Sequence, residues 1–320
     1  MSEVIQNKKP LVVLTGPTAV GKTALSIQLA KAIGGEIISA DSMQVYKQMD
    51  IGTAKIKPEE MQGVCHYLVD EFMPDDEFHV VKFKEYANRY IEEIYQKGKI
   101  PILVGGTGFY IQAVLKDVSF EQEKVSEYRK TLERLAEEKG AHYLHEQLLQ
   151  VDPESAASIH ENNVRRVIRA LEYYEQTGEK ISEHNEREKQ KESPYNFAYF
   201  VLNQEREVLY RRIDKRVDLM IEEGLVEEVK ALMEKGYNRD LVSMQGLGYK
   251  EIYSYLQGEI SLEDAIYILK RDTRHFAKRQ LTWFKREKDV VWVDKDELVT
   301  QEQQLSFCLN ILQEKGIWKG

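Results

Sequence analysis

The residues best suited to chemistry stand near the start of the chain, in Leu11 to Thr23, LVVLTGPTAVGKT. Gly16, Pro17, Thr18, Ala19, Val20, Gly21, Lys22 and Thr23 separate two glycines by four residues and follow the second with Lys-Thr. That is the spacing of a phosphate-binding loop, which needs a strand before it and a helix after it. Both are legible: Val12, Val13 and Leu14 read as a short buried parallel strand, and Leu25, Leu29 and Ala32 recur at helical spacing from Ala24 to Ile33. In such a loop the backbone N–H groups of Thr18 to Lys22 point at a di- or triphosphate on the helix N-terminus, where the dipole favours anions. Lys22 adds a full positive charge, and the Thr23 hydroxyl stands where it would ligate a phosphate-bound Mg²⁺. A phosphate cradle names no reaction, since nucleoside triphosphatases, kinases and transferases that expel pyrophosphate all need one.

The elements that must position this loop follow in order. Glu36 to Ala40 reads as a second strand ending in Asp41, Ser42, Met43 and Gln44, a polar tip where open α/β sheets bind ligands. Asp41 suits a helix or turn cap and a catalytic role equally. Gly63 to Asp70 reads as a third strand, and an amphipathic helix is expected from His79 to Lys97, with Val80, Phe83, Ala87, Tyr90, Ile91 and Ile94 facing the core. Lys99 to Val104 is a fourth strand running into Gly105, Gly106, Thr107, Gly108, Phe109 and Tyr110. The glycines let backbone approach a ligand closely, with the Thr107 hydroxyl as a donor to a leaving-group oxygen; the plainer reading is a tight turn. A motor-type triphosphatase ends an apolar strand in an acid that holds Mg²⁺. Here the fourth strand ends in Gly105, Gly106 and Thr107, so hydrolysis-driven motion is disfavoured, and Asp70, the only acid that ends a strand, is what keeps it open.

From Lys116 to Ser193 the sequence is strongly charged and helical, with helices expected at Val125 to Lys139 and, after Gly140, at Tyr143 to Leu149. Val164 to Tyr174 places Val164, Val167, Ile168 and Leu171 on one face, with Arg165, Arg166 and Arg169 around it as a solvated basic face or as phosphate contacts. Glu183 to Glu192 reads as the mobile polar end of this insertion. Phe197 to Leu202 returns to a strand pattern, followed by helices at Arg206 to Glu222 and Leu225 to Lys235 and a turn at Gln245 to Lys250. A long helix from Leu262 to Arg286 carries Lys270, Arg271, Arg274, Lys278, Arg279, Lys285 and Arg286, interleaved with Phe276, Trp283 and Phe284. Such a stripe suits either a groove that holds RNA phosphates and stacks bases, or a core face backed by a cationic solvent face. A strand at Val290 to Val293 and a helix at Gln301 to Glu314 close the chain. The fold class expected is α/β, a P-loop NTPase-like parallel sheet flanked by helices, with a helical insertion domain. The core is expected over 1–116 and 196–320, the insertion over 117–195.

The 320 residues, 42% hydrophobic and 31% charged, can bury a sizeable core. A formal net charge of −9 argues against a generally nucleic-acid-coating surface and leaves room for a local basic groove. The first ten residues lack the apolar stretch of a signal peptide and no apolar run approaches membrane-spanning length, so a cytoplasmic protein without a membrane partner is expected. Cys65 and Cys308 are too far apart to suggest a disulfide framework or a zinc module.

Five stretches occur in order: GPTAVGKT at 16–23, DSMQ at 41–44, GGTGFY at 105–110, VRRVIRALE at 164–172 and TRHFAKRQLTWF at 273–284. On these, the chain resembles the bacterial tRNA dimethylallyltransferases over nearly its whole length. The resemblance implies transfer of the dimethylallyl group from dimethylallyl diphosphate to N6 of the adenosine just 3′ of a tRNA anticodon, with Mg²⁺ present and pyrophosphate released. It implies Asp41 as general base, Thr107 as donor to the leaving oxygen, and Arg216 as a further diphosphate contact. It also implies tRNA contacts from Asp41, Ser42, Met43 and Gln44, from Arg165, Arg166, Val167, Ile168 and Arg169, from Gln245, Gly246, Gly248 and Lys250, and from Arg274, Lys278 and Arg279. A monomer is expected. The sequence departs from the family pattern at His160, Glu161, Asn162 and Asn163, where His-Pro-Asn-Asp is usual, and it lacks the zinc-finger extension of eukaryotic relatives. Two rivals stand beside this reading: a nucleoside or nucleotide kinase, and a non-catalytic RNA-binding protein that holds nucleotide as a structural ligand.

Overall fold

Strands that are apolar at nearly every position belong in a parallel sheet covered on both faces, and the computed structural model, which describes residues 8–120 and 127–320, builds that sheet. Its first part runs β1 (Lys9–Thr15), α1 (Lys22–Ile33), β2 (Gly35–Ser39), α2 (Pro58–Met61), β3 (His66–Tyr67), α3 (Val80–Gln96), β4 (Ile100–Gly105) and α4 (Gly108–Leu115). After four helices, α5 (Glu127–Val151), α6 (Pro153–Ser158), α7 (Val164–Thr177) and α8 (Ile181–Gln190), the sheet resumes. It continues as β5 (Tyr195–Asn203), α9 (Arg206–Glu222), α10 (Leu225–Glu234), α11 (Tyr249–Leu256), α12 (Leu262–Phe284), β6 (Val290–Asp294) and α13 (Gln301–Glu314). The expected start of the Val125 to Lys139 helix, Val125 and Ser126, lies outside the described residues.

The chain divides into two compact units, Met1–Leu115 with Pro194–Gly320, and Lys116–Ser193. In the first, six parallel strands stand in the order β3-β2-β4-β1-β5-β6. Successive side chains of a strand point to opposite faces, so β1 feeds two cores. Leu11 and Val13 join Phe83, Ile91, Ile111, Val229, Ile252 and Leu269 on one face. Val12 and Leu14 join Leu25, Leu29, Leu209, Ile213 and Leu312 on the other. All four β1 residues are 0% exposed, which pins the central strand and the loop that leaves its carboxyl end.

The second unit has its own core of Leu132, Leu144, Leu148, Ala156, Val167, Ile168 and Leu171. α5 breaks at Gly140, whose φ of 85° suits a residue without Cβ. The tract from Glu183 to Glu192 is largely helical, as α8, in keeping with the helical reading of this segment, and Asp152 takes hydrogen bonds from Ser182 N at 3.0 Å and Ser182 Oγ at 2.7 Å at its first turn. One expectation needs correction. The strand expected over Gly63 to Asp70 shrinks to His66–Tyr67, since Leu68 and Asp70 take positive φ values of 57° and 60° that end the pairing.

Candidate active site

Parallel strands that all point one way deliver their loops to one edge, and the loops after β1, β2 and β4 meet there. Gly105 has no room for a side chain, because a Cβ would overlap the carbonyl of Ala40. Thr107 N donates to that same carbonyl at 3.2 Å, so the Gly105–Gly108 loop is sewn to the residue preceding Asp41.

The edge holds a cavity of about 280 Å³ lined by Thr18, Ala19, Gly21, Lys22, Thr23, Asp41, Gln44, Thr53, Arg212, Arg216 and Gln280. Gly21 caps α1 with a φ of 98°, so the helix N-terminus opens into this space. Lys22 folds back on its own loop, Nζ donating to the carbonyls of Gly16 at 3.0 Å and Pro17 at 2.9 Å. Burial pushes its pKa down to about 8, opposed by the charge of Asp41 and reinforced by that of Arg216. Arg216 Nη1 donates to Thr18 Oγ1 at 3.3 Å, and burial lowers its pKa too, again against the pull of Asp41. Lys295, just past β6, donates to Val20 O at 2.9 Å; burial, then the neighbouring Arg212, holds its pKa low. Four cations crowded around one helix N-terminus destabilise one another, and a polyanion relieves that repulsion.

Asp41 is the only acid lining the cavity among the described residues. Its Oδ1 accepts from Met43 N at 2.9 Å and Gln44 N at 3.3 Å, so it caps its turn and faces the cavity at once. Gln44 Nε2 in turn reaches the carbonyls of Thr53 at 3.3 Å and Ala54 at 3.2 Å. Behind that loop Glu228 on α10 accepts four hydrogen bonds, from Asp50 N at 2.9 Å, Ile51 N at 2.8 Å, Gly52 N at 3.1 Å and Tyr249 Oη at 2.7 Å. This carboxylate ties the loop that precedes the cavity-lining Thr53 to the start of α11.

The expected site residues divide. Thr18, Ala19, Gly21, Lys22, Thr23, Asp41, Gln44 and Arg216 come together; Thr107 stands beside them without lining the cavity. Val20 is buried and its N–H donates to Pro17 O at 3.4 Å, while Thr18 N donates to Gln280 Oε1 at 2.9 Å, so the expected inward fan of amides loses two members. Met43 packs where a Cβ on Gly246 would sit, bringing the loop of Ser42 and Met43 against the 245–250 turn. In that turn Gln245 Nε2 donates to Arg239 O, Gly248 caps α11, and Lys250 pairs with Glu251 at 3.5 Å. Arg165, Arg166 and Arg169 are exposed on α7, but Val167 and Ile168 are 0% and 5% exposed, so their side chains belong to the core of that unit and cannot meet RNA.

The basic stripe of α12 also needs correction. Arg274 pairs with Asp214 and Lys270 with Asp218, each at 2.6 Å, and Arg271 with Asp272 at 2.8 Å, whereas Lys278, Arg279, Lys285 and Arg286 stand exposed. Phe284 is fully buried and Trp283 lies against Gly108 and Phe109, so two of its three aromatics pack inward. Thr53, Arg212, Gln280 and Lys295 were missed by sequence reasoning. Arg212 had a signal, standing one helical turn before Arg216 on α9.

The family model described as IPP transferase matches residues 44–287. The chain belongs to the IPP transferase family. Among relatives in that family, a tRNA dimethylallyltransferase of Lachnoclostridium phytofermentans is 65% identical over 97% of this chain and 100% of its own length. One of Acetivibrio thermocellus is 54% identical over 96% and 99%. Among solved structures, the full-length tRNA isopentenylpyrophosphate transferase of Bacillus halodurans, 47% identical, aligns with a TM-score of 0.72 over 97% of this chain and 98% of its own. A eukaryotic dimethylallyltransferase acting on tRNA, 32% identical, aligns with a TM-score of 0.83 over 98% of this chain and 81% of its own. These names support the transferase over the kinase. Asp70 agrees, for its carboxylate pairs with Lys55 at 2.8 Å rather than standing at a strand end over the phosphate loop.

Proposed function

We propose that this enzyme moves the dimethylallyl group from dimethylallyl diphosphate to N6 of the adenosine 3′-adjacent to a tRNA anticodon and releases pyrophosphate. The observation that carries the reading is one carboxylate, Asp41, facing a cavity that it shares with the phosphate loop and the cations Lys22, Arg212 and Arg216. Those cations and the α1 N-terminus bind the diphosphate and take up the charge that grows as the C–O bond breaks. The N6 lone pair is delocalised into adenine, so attack on carbon requires loss of a proton. Asp41 accepts that proton as the N–C bond forms, and pyrophosphate departs with the electrons of the C–O bond. Thr107 donates its hydroxyl hydrogen to the departing oxygen.

The Thr23 hydroxyl, exposed at the cavity, fits a hard cation such as Mg²⁺. No group of three or more His, Cys, Asp or Glu side chains among the described residues is placed to hold a metal. Bound there, the ion would neutralise charge on the leaving group. Adenosine must leave the anticodon-loop stack to reach Asp41. Lys278 and Arg279 on α12 and the 245–250 turn would hold the loop backbone, and Arg165, Arg166 and Arg169 on α7 would grip tRNA phosphates. No described helix is long and apolar enough to cross a membrane.

The test incubates the protein, Mg²⁺ and unmodified tRNA bearing adenosine after its anticodon with labelled dimethylallyl diphosphate or with γ-labelled ATP. Prenyl label in tRNA, lost in Asp41→Ala, supports the transfer and its base. Phosphate moved from ATP to an acceptor, with no prenyl transfer, overturns it.

A further inference from the structure

The C-terminal part of α12 reaches into the active site through a neutral side chain. Gln280 is 6% exposed, and both ends of its carboxamide are used: Oε1 accepts from Thr18 N at 2.9 Å and Nε2 donates to Gly106 O at 3.0 Å. One group therefore joins the diphosphate loop to the loop that carries Thr107. The join is tight, since a Cβ on Gly106 would overlap Nε2. Each loop is also held elsewhere, Thr18 Oγ1 by Arg216 at 3.3 Å and Thr107 N by the carbonyl next to Asp41 at 3.2 Å.

We propose that Gln280 is a positioning residue for prenyl transfer, fixing the separation between the groups that hold the diphosphate and the Thr107–Asp41 side of the site. The proposal rests on the transfer reading above. A carboxamide does this because it presents an acceptor and a donor on different atoms to a backbone N–H and a backbone C=O, and stays neutral among the cations. A carboxylate offers two acceptors and opposes the Gly106 carbonyl; a carboxylic acid restores the pattern, its O–H donating to Gly106 O and its C=O accepting from Thr18 N.

That pattern supplies a test with full-length Gln280→Glu and Gln280→Met in the Mg²⁺, tRNA and labelled dimethylallyl diphosphate assay. Misplacing the two loops should lower kcat about 10- to 100-fold in both, while KM for dimethylallyl diphosphate moves less than about threefold. The ratio of Gln280→Glu to wild-type rate should rise at least about fivefold between about pH 8.5 and about pH 6, as the introduced carboxyl protonates. The same ratio for Gln280→Met should stay flat. Where Gln280→Met does not fold, Gly106→Ala displaces the same carboxamide from the other side and should show the same kcat loss without recovery at low pH. Wild-type kcat in the variants, a loss confined to KM, or a Gln280→Glu ratio that does not change with pH overturns the proposal. A Gln280→Glu protein that does not fold also overturns it, because the inference assigns this group to alignment and not to stability. Wild-type enzyme that transfers no label overturns the transfer reading instead, and the variants are read only against an active parent.

Discussion

Asp41 serves structure and chemistry with one carboxylate, and the two uses separate by atom. Oδ1 holds the turn through Met43 N and Gln44 N. Asp41→Asn keeps that acceptor and removes the base, so transfer should fall about 10²- to 10⁴-fold while calorimetry shows pyrophosphate bound as tightly or more tightly; weakened pyrophosphate binding would argue against the assignment. Lys22 gives a pH signature. With its pKa at about 8 in the free protein, the ammonium is present below that pH and lost above it, and an anion favours the charged form. Pyrophosphate affinity should therefore fall as pH rises past about 8, approaching tenfold per pH unit relative to Lys22→Arg, whose guanidinium stays charged. Parallel titrations of the two proteins would contradict the burial argument.

Among the elements, α12 carries the basic stripe, and its cations are unequal. Lys270 and Arg274 are held by Asp218 and Asp214 on α9, whereas Lys278 and Arg279 are exposed. Lys278→Ala should weaken tRNA binding uniformly and flatten the salt dependence by about one counterion. Lys270→Ala should leave that slope unchanged in a filter-binding series over salt, and equal slopes for both would sink the distinction. The sequence could show that α12 is long and basic, since composition and spacing are local. It could not show that Asp214 and Asp218 neutralise part of the stripe, because those carboxylates lie more than fifty residues away. The same holds at the site. The loop at 16–23 and Asp41 are legible from strand-turn-helix patterning, whereas Gln280, Thr53 and Lys295 have no local signature and enter only through tertiary packing. Val167 and Ile168 fail for the opposite reason: their motif implies contacts as a block, while the helical period buries every third or fourth residue within it.

At the scale of the whole molecule, each unit carries its own core, with the Lys116–Ser193 unit packed around Leu132, Leu144, Leu148, Val167 and Leu171. Replacing 116–193 with a flexible glycine-serine linker should leave pyrophosphate binding within about threefold of wild type and abolish measurable tRNA modification. Loss of pyrophosphate binding together with the cooperative unfolding transition would show that the units do not stand alone.

The placement of this unit in the chain also bears on synthesis. β1 pairs with β4 on one side and, along its full length, with β5 on the other. A ribosome delivers β4 early but reaches β5 only after the whole Lys116–Ser193 unit. At about 5–20 residues per second, those roughly 80 residues keep one edge of the central strand open for roughly 4–16 s. An apolar strand with an open edge is a template for pairing with a neighbouring chain. The nascent protein is thus most prone to aggregate while it builds the part that does not belong to the sheet, and holding that edge until β5 emerges is the service a ribosome-bound chaperone would render it.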